Sequence, residues 1–204
     1  MKKLFLVSSF KDVVNIFTDF EKDLSGKTVT FIPTASKVEK VVFYVNAGRK
    51  ALEKMGLTVD ELEISTATTD EISSKIKNND FIYVTGGNTF YLLKELKRTG
   101  ADKIIIDEVN SGKLYIGESA GAMVASANVE YAKEMDSIKK APGLESFDAL
   151  GFVESYTVPH YNNPPFKKTA QKIIDTYSPT LNLTPISNSQ AILVNDTKIK
   201  VEGI

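Results

Sequence analysis

The 204-residue chain has no cysteine and no tryptophan, a single histidine, His160, and two arginines, Arg49 and Arg98. Without cysteine there can be no disulfide, thiolate nucleophile, iron–sulfur cluster or Cys-ligated zinc. One imidazole also excludes any site built on a pair of histidines. Charge of neither sign is in excess: 25 Lys plus Arg stand against 26 Asp plus Glu, a formal net charge of −1. Such a balance gives no long-range pull toward nucleic acid or an anionic membrane, and neither is expected as a partner. Long apolar runs are missing as well. After Met1, Lys2 and Lys3 the first run covers only residues 4–7. That is short of the roughly 7–15 apolar residues of a secretory signal and the ~20 of a membrane span. A cytoplasmic location is the expectation. What remains is ordinary globular material, 42% hydrophobic and 25% charged, in a length that suits one domain with its own core. Its chemistry has to come from oxygen nucleophiles, carboxylates, amides and one imidazole.

Short runs rich in β-branched and aromatic residues alternate with longer amphipathic stretches. Strands are predicted over residues 4–7, 28–32, 57–62, 81–85, 114–116, 155–158 and 181–186. Helices are predicted over 13–23, 40–55, 71–77, 90–98, 101–110, 120–127 and 166–177, with Gly56 and Gly100 as stops. Residues 129–150 mix charges with Pro142 and Gly143 and read as a loop-rich excursion. Residues 191–201 alternate about Asn195 and Asp196 and read as a hairpin. Strands alternating with helices argue for βαβ units. The predicted fold is α/β: a single-domain, mainly parallel sheet with helices on both faces and a C-terminal hairpin.

In such folds ligands sit at the carboxyl ends of the strands. One strand-to-helix turn, Gly117-Glu118-Ser119-Ala120-Gly121, carries the G-x-S-x-G pattern of a nucleophile elbow. An apolar strand precedes it and a helix-compatible run follows, which is the context that pattern needs. Ser119 is therefore a candidate nucleophile; the alternative is a tight turn whose serine caps the next helix. His160 ends another predicted strand and is expected on the same sheet edge. An imidazole with a pKa of about 6.5 is the usual base for a serine nucleophile, although a histidine can also simply close a strand. A third strand end, Thr85-Gly86-Gly87-Asn88-Thr89-Phe90, has backbone N–H groups free to face a developing negative charge. Gly87 with Ala120 would make a two-donor oxyanion hole. The competing reading is a phosphate cradle, but neither GxxxxGK[ST] nor GxGxxG is present. No cofactor is implied. Asn88, Glu118 and Tyr161 flank these residues and are the candidate substrate contacts.

Taken together, GGNTF at 86–90, GESAGA at 117–122 and the Pro159-His160 strand end resemble the aspartyl dipeptidase (peptidase E) family of serine peptidases, relatives of cyanophycinase. The resemblance extends over nearly the whole chain and implies one peptidase E-like domain, residues 1–204. It implies a fold related to the class I glutamine amidotransferases, with serine in place of their cysteine. It also implies hydrolysis of small peptides, Asp-X dipeptides among them, through an acyl-enzyme on Ser119. The family's triad glutamate corresponds to Asn188 in Pro185-Ile186-Ser187-Asn188. Asn can orient an imidazole through its side-chain oxygen, as in Cys-His-Asn enzymes, but it adds no charge. Glu134 is the second candidate, in Glu134-Met135-Asp136, where the family has an acidic residue followed by methionine. The arginine-bearing segment that follows the histidine in the family is shortened here to residues 162–168, with Lys167 and Lys168 but no arginine. Two other readings stand beside the peptidase. One is an esterase of the α/β-hydrolase type, which needs its acid between Ser and His. The other is a non-catalytic peptide-binding protein on the same fold. Self-association is left open.

Overall fold

Apolar runs make the central strands, shorter or alternating segments make the outer ones, and amphipathic stretches between them make the helices. In the computed structural model, which describes residues 2–203, the strands are β1 (Lys3–Val7), β2 (Thr28–Ile32), β3 (Thr58–Glu61), β4 (Phe81–Val84), β5 (Leu114–Glu118), β6 (Tyr156–Val158), β7 (Leu183–Pro185), β8 (Gln190–Asn195) and β9 (Lys198–Gly203). The helices are α1 (Val14–Phe20), α2 (Phe43–Lys54), α3 (Thr69–Asn78), α4 (Thr89–Thr99), α5 (Ala101–Asn110), α6 (Ala120–Met123) and α7 (Lys167–Tyr177). Seven strands form one sheet in the order β3-β2-β4-β5-β1-β8-β9. The first five of these run parallel, and the β8–β9 hairpin extends the β1 edge antiparallel. Every residue of β4 and β5 is buried, as strands covered on both faces require.

Side-chain alternation divides the core into two layers. Phe5, Phe31, Tyr83 and Ile116 pack with Phe17 of α1 and Leu52 of α2 on one face. Leu4, Leu6, Ile82 and Tyr115 pack with Ile72 of α3, Leu93 of α4 and Ile105 of α5 on the other. Helix starts are capped where the sequence allows. Thr68 accepts the Glu71 N–H, and Asn88 accepts the Tyr91 N–H. The fold is thus the mainly parallel α/β sheet with a terminal hairpin that the sequence pattern implies.

Three differences from the sequence reading bear on the site. The helix expected from residue 40 begins at Phe43, and Val41, Val42 and Phe43 are 61%, 44% and 69% exposed. Three consecutive apolar residues cannot all share the inward stripe of one helix. The helix expected over 120–127 ends at Met123, because the Ala125 and Ser126 carbonyls accept the Phe152 and Gly151 N–H groups and draw the chain into a bridge with Val153. Lastly, β6 does not join the main sheet. It pairs in parallel with β7 in a separate two-stranded sheet, onto which α7 turns Ala170 and Ile173. His160 therefore follows a strand of the small sheet, not one on the edge that holds Ser119.

Register brings the functional turns level with one another. Val7 lies opposite Glu118, and Val84 opposite Gly117. The residues that follow β1, β4 and β5 therefore leave the sheet side by side.

Candidate active site

Ser119 stands where β5 gives way to α6. Its N–H donates to the Val7 carbonyl at 2.8 Å, and its backbone is held at φ 50°. A non-glycine residue there is strained, and the surrounding hydrogen bonds must hold it in place. The strain turns the hydroxyl out of the sheet toward His160, whose Nε2 lies 3.0 Å from Oγ. On the other side of the ring, Nδ1 lies 2.8 Å from Asn188 Oδ1. The structure thus brings Ser119, His160 and Asn188 into one line.

Each partner has its own support. His160 also has positive φ, 61°, and its N–H donates to Ser8 Oγ at 2.9 Å. Ser8 in turn donates to the Ile186 carbonyl at 3.1 Å. The Asn188 N–H donates to Asn163 Oδ1 at 2.8 Å. Phe166 stacks on the imidazole with ring centroids 4.8 Å apart. Burial lowers the pKa of His160 from the ordinary 6.5, and the Asn188 bond opposes that shift. The ring is consequently a neutral base at pH 7.

Beside Ser119 the Gly86-Gly87 turn leaves β4. Gly87 has φ 137°, and a Cβ there would fall 2.2 Å from the Ala35 carbonyl, so only glycine fits. Among the described residues, the N–H groups of Gly87 and Ala120 make no hydrogen bond. Both are available for an oxyanion.

The remaining expected site residues are placed differently. Glu134 does not reach the imidazole: its carboxylate pairs with Lys172 of α7 at 2.6 Å, and both ring nitrogens already have partners. Asn88 is 1% exposed and spends both side-chain ends on structure, accepting from Tyr91 N–H and donating to the Ser137 carbonyl. It caps α4 from a position in the cleft lining. Glu118 is 4% exposed, and its carboxylate accepts the Phe10 N–H at 3.0 Å and the Tyr83 hydroxyl at 2.9 Å. It lines the same cleft as Ser119, with both carboxylate oxygens already engaged. Tyr161 is not among the residues lining the cleft, because its N–H is tied to the Ile186 carbonyl in the turn after β6. Phe166 occupies the position beside the imidazole in its stead.

Ser119 and His160 open onto a cleft of about 620 Å³. Sequence reasoning passed over much of its wall. Val41 and Phe43 stand at one rim, with Met135, Pro164, Pro165 and Phe166 also lining it. Asp136, beside the expected Glu134, accepts the Thr89 N–H at 2.9 Å and lines the cleft. Burial raises its pKa to about 6, against the bonds from Thr89 that favour the ionised form. The cleft's two lysines are not the expected ones. Lys140 pairs with Glu39 at 2.7 Å, and Lys11 lies 3.9 Å from Asp12. Neither arginine approaches: Arg49 pairs with Glu61 and lies over Phe31, and Arg98 pairs with Glu95 at 2.6 Å. Among the described residues, no helix is long and apolar enough to cross a membrane.

Comparison with known proteins agrees with this architecture. The model of peptidase family S51 matches residues 4–202. An uncharacterized peptidase of Listeria innocua is 62% identical over 199 residues, covering 98% of this chain and 95% of the relative. Peptidase E of Pasteurella multocida is 30% identical over 186 residues, covering 91% of this chain and 76% of its own. Among solved structures, a "Putative Peptidase E Protein" from Listeria monocytogenes superposes with a TM-score of 0.97 at 58% identity, covering 100% of this chain and 99% of the other.

Proposed function

The chain belongs to peptidase family S51, and from that premise we propose that this peptidase cleaves short peptides by a serine mechanism. Ser119 is the nucleophile, His160 its general base, and Asn188 the residue that orients the imidazole. The observation that carries the proposal is the unbroken hydrogen-bond line from Ser119 Oγ through His160 to Asn188 Oδ1.

Because Oδ1 can only accept, Nδ1 carries the imidazole proton and Nε2 is left unprotonated toward the serine hydroxyl. On attack, Oγ bonds to the substrate carbonyl carbon while its proton passes to Nε2. The carbonyl π electrons move to oxygen, where the N–H groups of Gly87 and Ala120 stabilise them. Collapse breaks the C–N bond, and the leaving amine takes the proton from Nε2. Water then repeats the sequence on the acyl-enzyme and releases the acid. A preference for N-terminal aspartate, implied by the family resemblance, has little support in the cleft, since both of its lysines are paired with carboxylates.

The proposal is tested at Ser119 itself. A fluorophosphonate is expected to label Ser119 in the wild-type chain. Ser119→Ala is expected to keep its melting temperature while losing turnover by about 10³-fold or more. Hydrolysis unchanged in the alanine variant would remove Ser119 from the chemistry and favour binding without catalysis.

A further inference from the structure

We propose that the cleft selects peptides whose first residue has a free amino group and an uncharged, apolar side chain, with Asp136 holding the ammonium and the Val41–Phe43 rim taking the side chain. The inference rests on the serine-peptidase reading and adds the substrate class.

Charge is the first ground. An acidic substrate side chain needs an uncommitted cation, and the cleft provides none among the described residues. Lys140 is engaged by Glu39 and Lys11 is beside Asp12. Asp136, in contrast, makes no ion pair among the described residues, and it accepts a hydrogen bond from the Thr89 N–H. That bond fixes the carboxylate at the start of α4, two residues beyond Gly87 in sequence. An ammonium in the cleft therefore meets a fixed, otherwise unpaired carboxylate close to the oxyanion turn. A substrate carboxylate in the same cleft would be repelled by Asp136, the charges of Asp12 and Glu39 being offset by Lys11 and Lys140.

Apolar surface is the second ground. Val41 and Phe43 stay 61% and 69% exposed although they line a concave site, and Met135, Pro165 and Phe166 line the same cleft. Covering such surface with an apolar side chain is favourable in proportion to the area removed from water. A charged side chain there would lose hydration without gaining a partner.

Leu-Leu, Asp-Leu and N-acetyl-Leu-Leu distinguish the possibilities. Each peptide is assayed for hydrolysis by the wild-type protein and for calorimetric binding to Ser119→Ala, which reads selectivity without turnover. Leu-Leu is expected to exceed both others by about tenfold or more in kcat/KM and in affinity. Asp136→Asn should raise KM for Leu-Leu about tenfold, with kcat changed less, since a charge-assisted bond is lost. Phe43→Ser, at a 69% exposed position, should weaken Leu-Leu about fivefold and Asp-Leu less. Equal or better handling of Asp-Leu, equal handling of the acetylated peptide, or no binding by any of the three overturns the proposal. Labelling of Ser119 by a fluorophosphonate in that event would leave the serine mechanism standing, so the two failures are distinguishable.

Discussion

Glu118 is a carboxylate that the catalytic line does not use, buried directly beside the nucleophile. Bonds from the Phe10 N–H and the Tyr83 hydroxyl favour its ionised form, but burial outweighs them and raises its pKa from 4.5 to about 7. Between those values the folded protein holds a proton that the unfolded chain has already released. Stability contributed at this position therefore falls as pH rises across that window. Glu118→Gln keeps the volume, and its amide can still accept from Phe10 and donate to the Tyr83 oxygen. Relative to the wild type, the glutamine variant is expected to gain on the order of 2 kcal/mol between pH 5 and pH 8. Urea midpoints at the two pH values check this, and an unchanged difference would show that the buried group is ionised throughout. At this scale the sequence revealed the scarce residues best. With one imidazole available, His160 is the only candidate for a histidine base. Asn188 came into view only through the family resemblance, because its place is set by the approach of the turn after β7. Asp136 was in view only as the neighbour of Glu134 in Glu134-Met135-Asp136, because residues 129–150 have no periodicity and its place is set by packing on the start of α4.

Elements were legible in proportion to the regularity of their burial. β2 and α5 match the residues expected, since one is a run of β-branched and aromatic residues closed by Pro33 and the other has glycine at its start. The misread elements are those whose ends depend on tertiary contacts. α2 starts late and leaves an apolar rim at the cleft, and α6 is only four residues long. The brevity of α6 makes its packing sharp. A Cβ on Gly121 would lie 2.3 Å from the Val84 carbonyl oxygen, so α6 sits directly on the end of β4. Gly121→Ala is expected to destabilise the fold by about 2–4 kcal/mol, through backbone displacement that also moves Ser119. Gly143→Ala is the control: its Cβ would meet nothing within 4 Å, though φ is 80°. The loss there should be only about 1–2 kcal/mol, the penalty of a side chain in the left-handed region. Thermal denaturation of the two variants checks the contrast, and equal losses would show that crowding is not the reason for glycine at 121.

At the scale of the whole molecule, the candidate site is a junction between two sheets. Alternation of strands and helices made the main sheet readable. The small sheet was not, because β6 and β7 have three residues each and pair across a long connection. One hydroxyl joins the two. Ser8, 2% exposed at the end of β1, accepts the His160 N–H and donates to the Ile186 carbonyl, so the small sheet is pinned to the strand that also holds the Ser119 N–H. Ser8→Ala removes both bonds and leaves the His160 N–H without a partner, while the Ile186 carbonyl keeps the Tyr161 N–H. The expected loss of stability is about 2 kcal/mol, since an unpaired buried group costs about 1–3 kcal/mol before relaxation. The effect on rate should be larger than this implies. Nothing else among the described hydrogen bonds holds the His160 backbone N–H, and a small displacement of the ring from Oγ lowers the fraction of reactive geometry. A fall in kcat of about 10²-fold is expected, with KM moved much less because Ser8 anchors the base and not the Asp136 wall. The rate of Ser119 labelling by a fluorophosphonate should fall in parallel. If stability drops while kcat and labelling hold, Ser8 only packs the two sheets together and His160 is positioned by Asn188 and Phe166 alone.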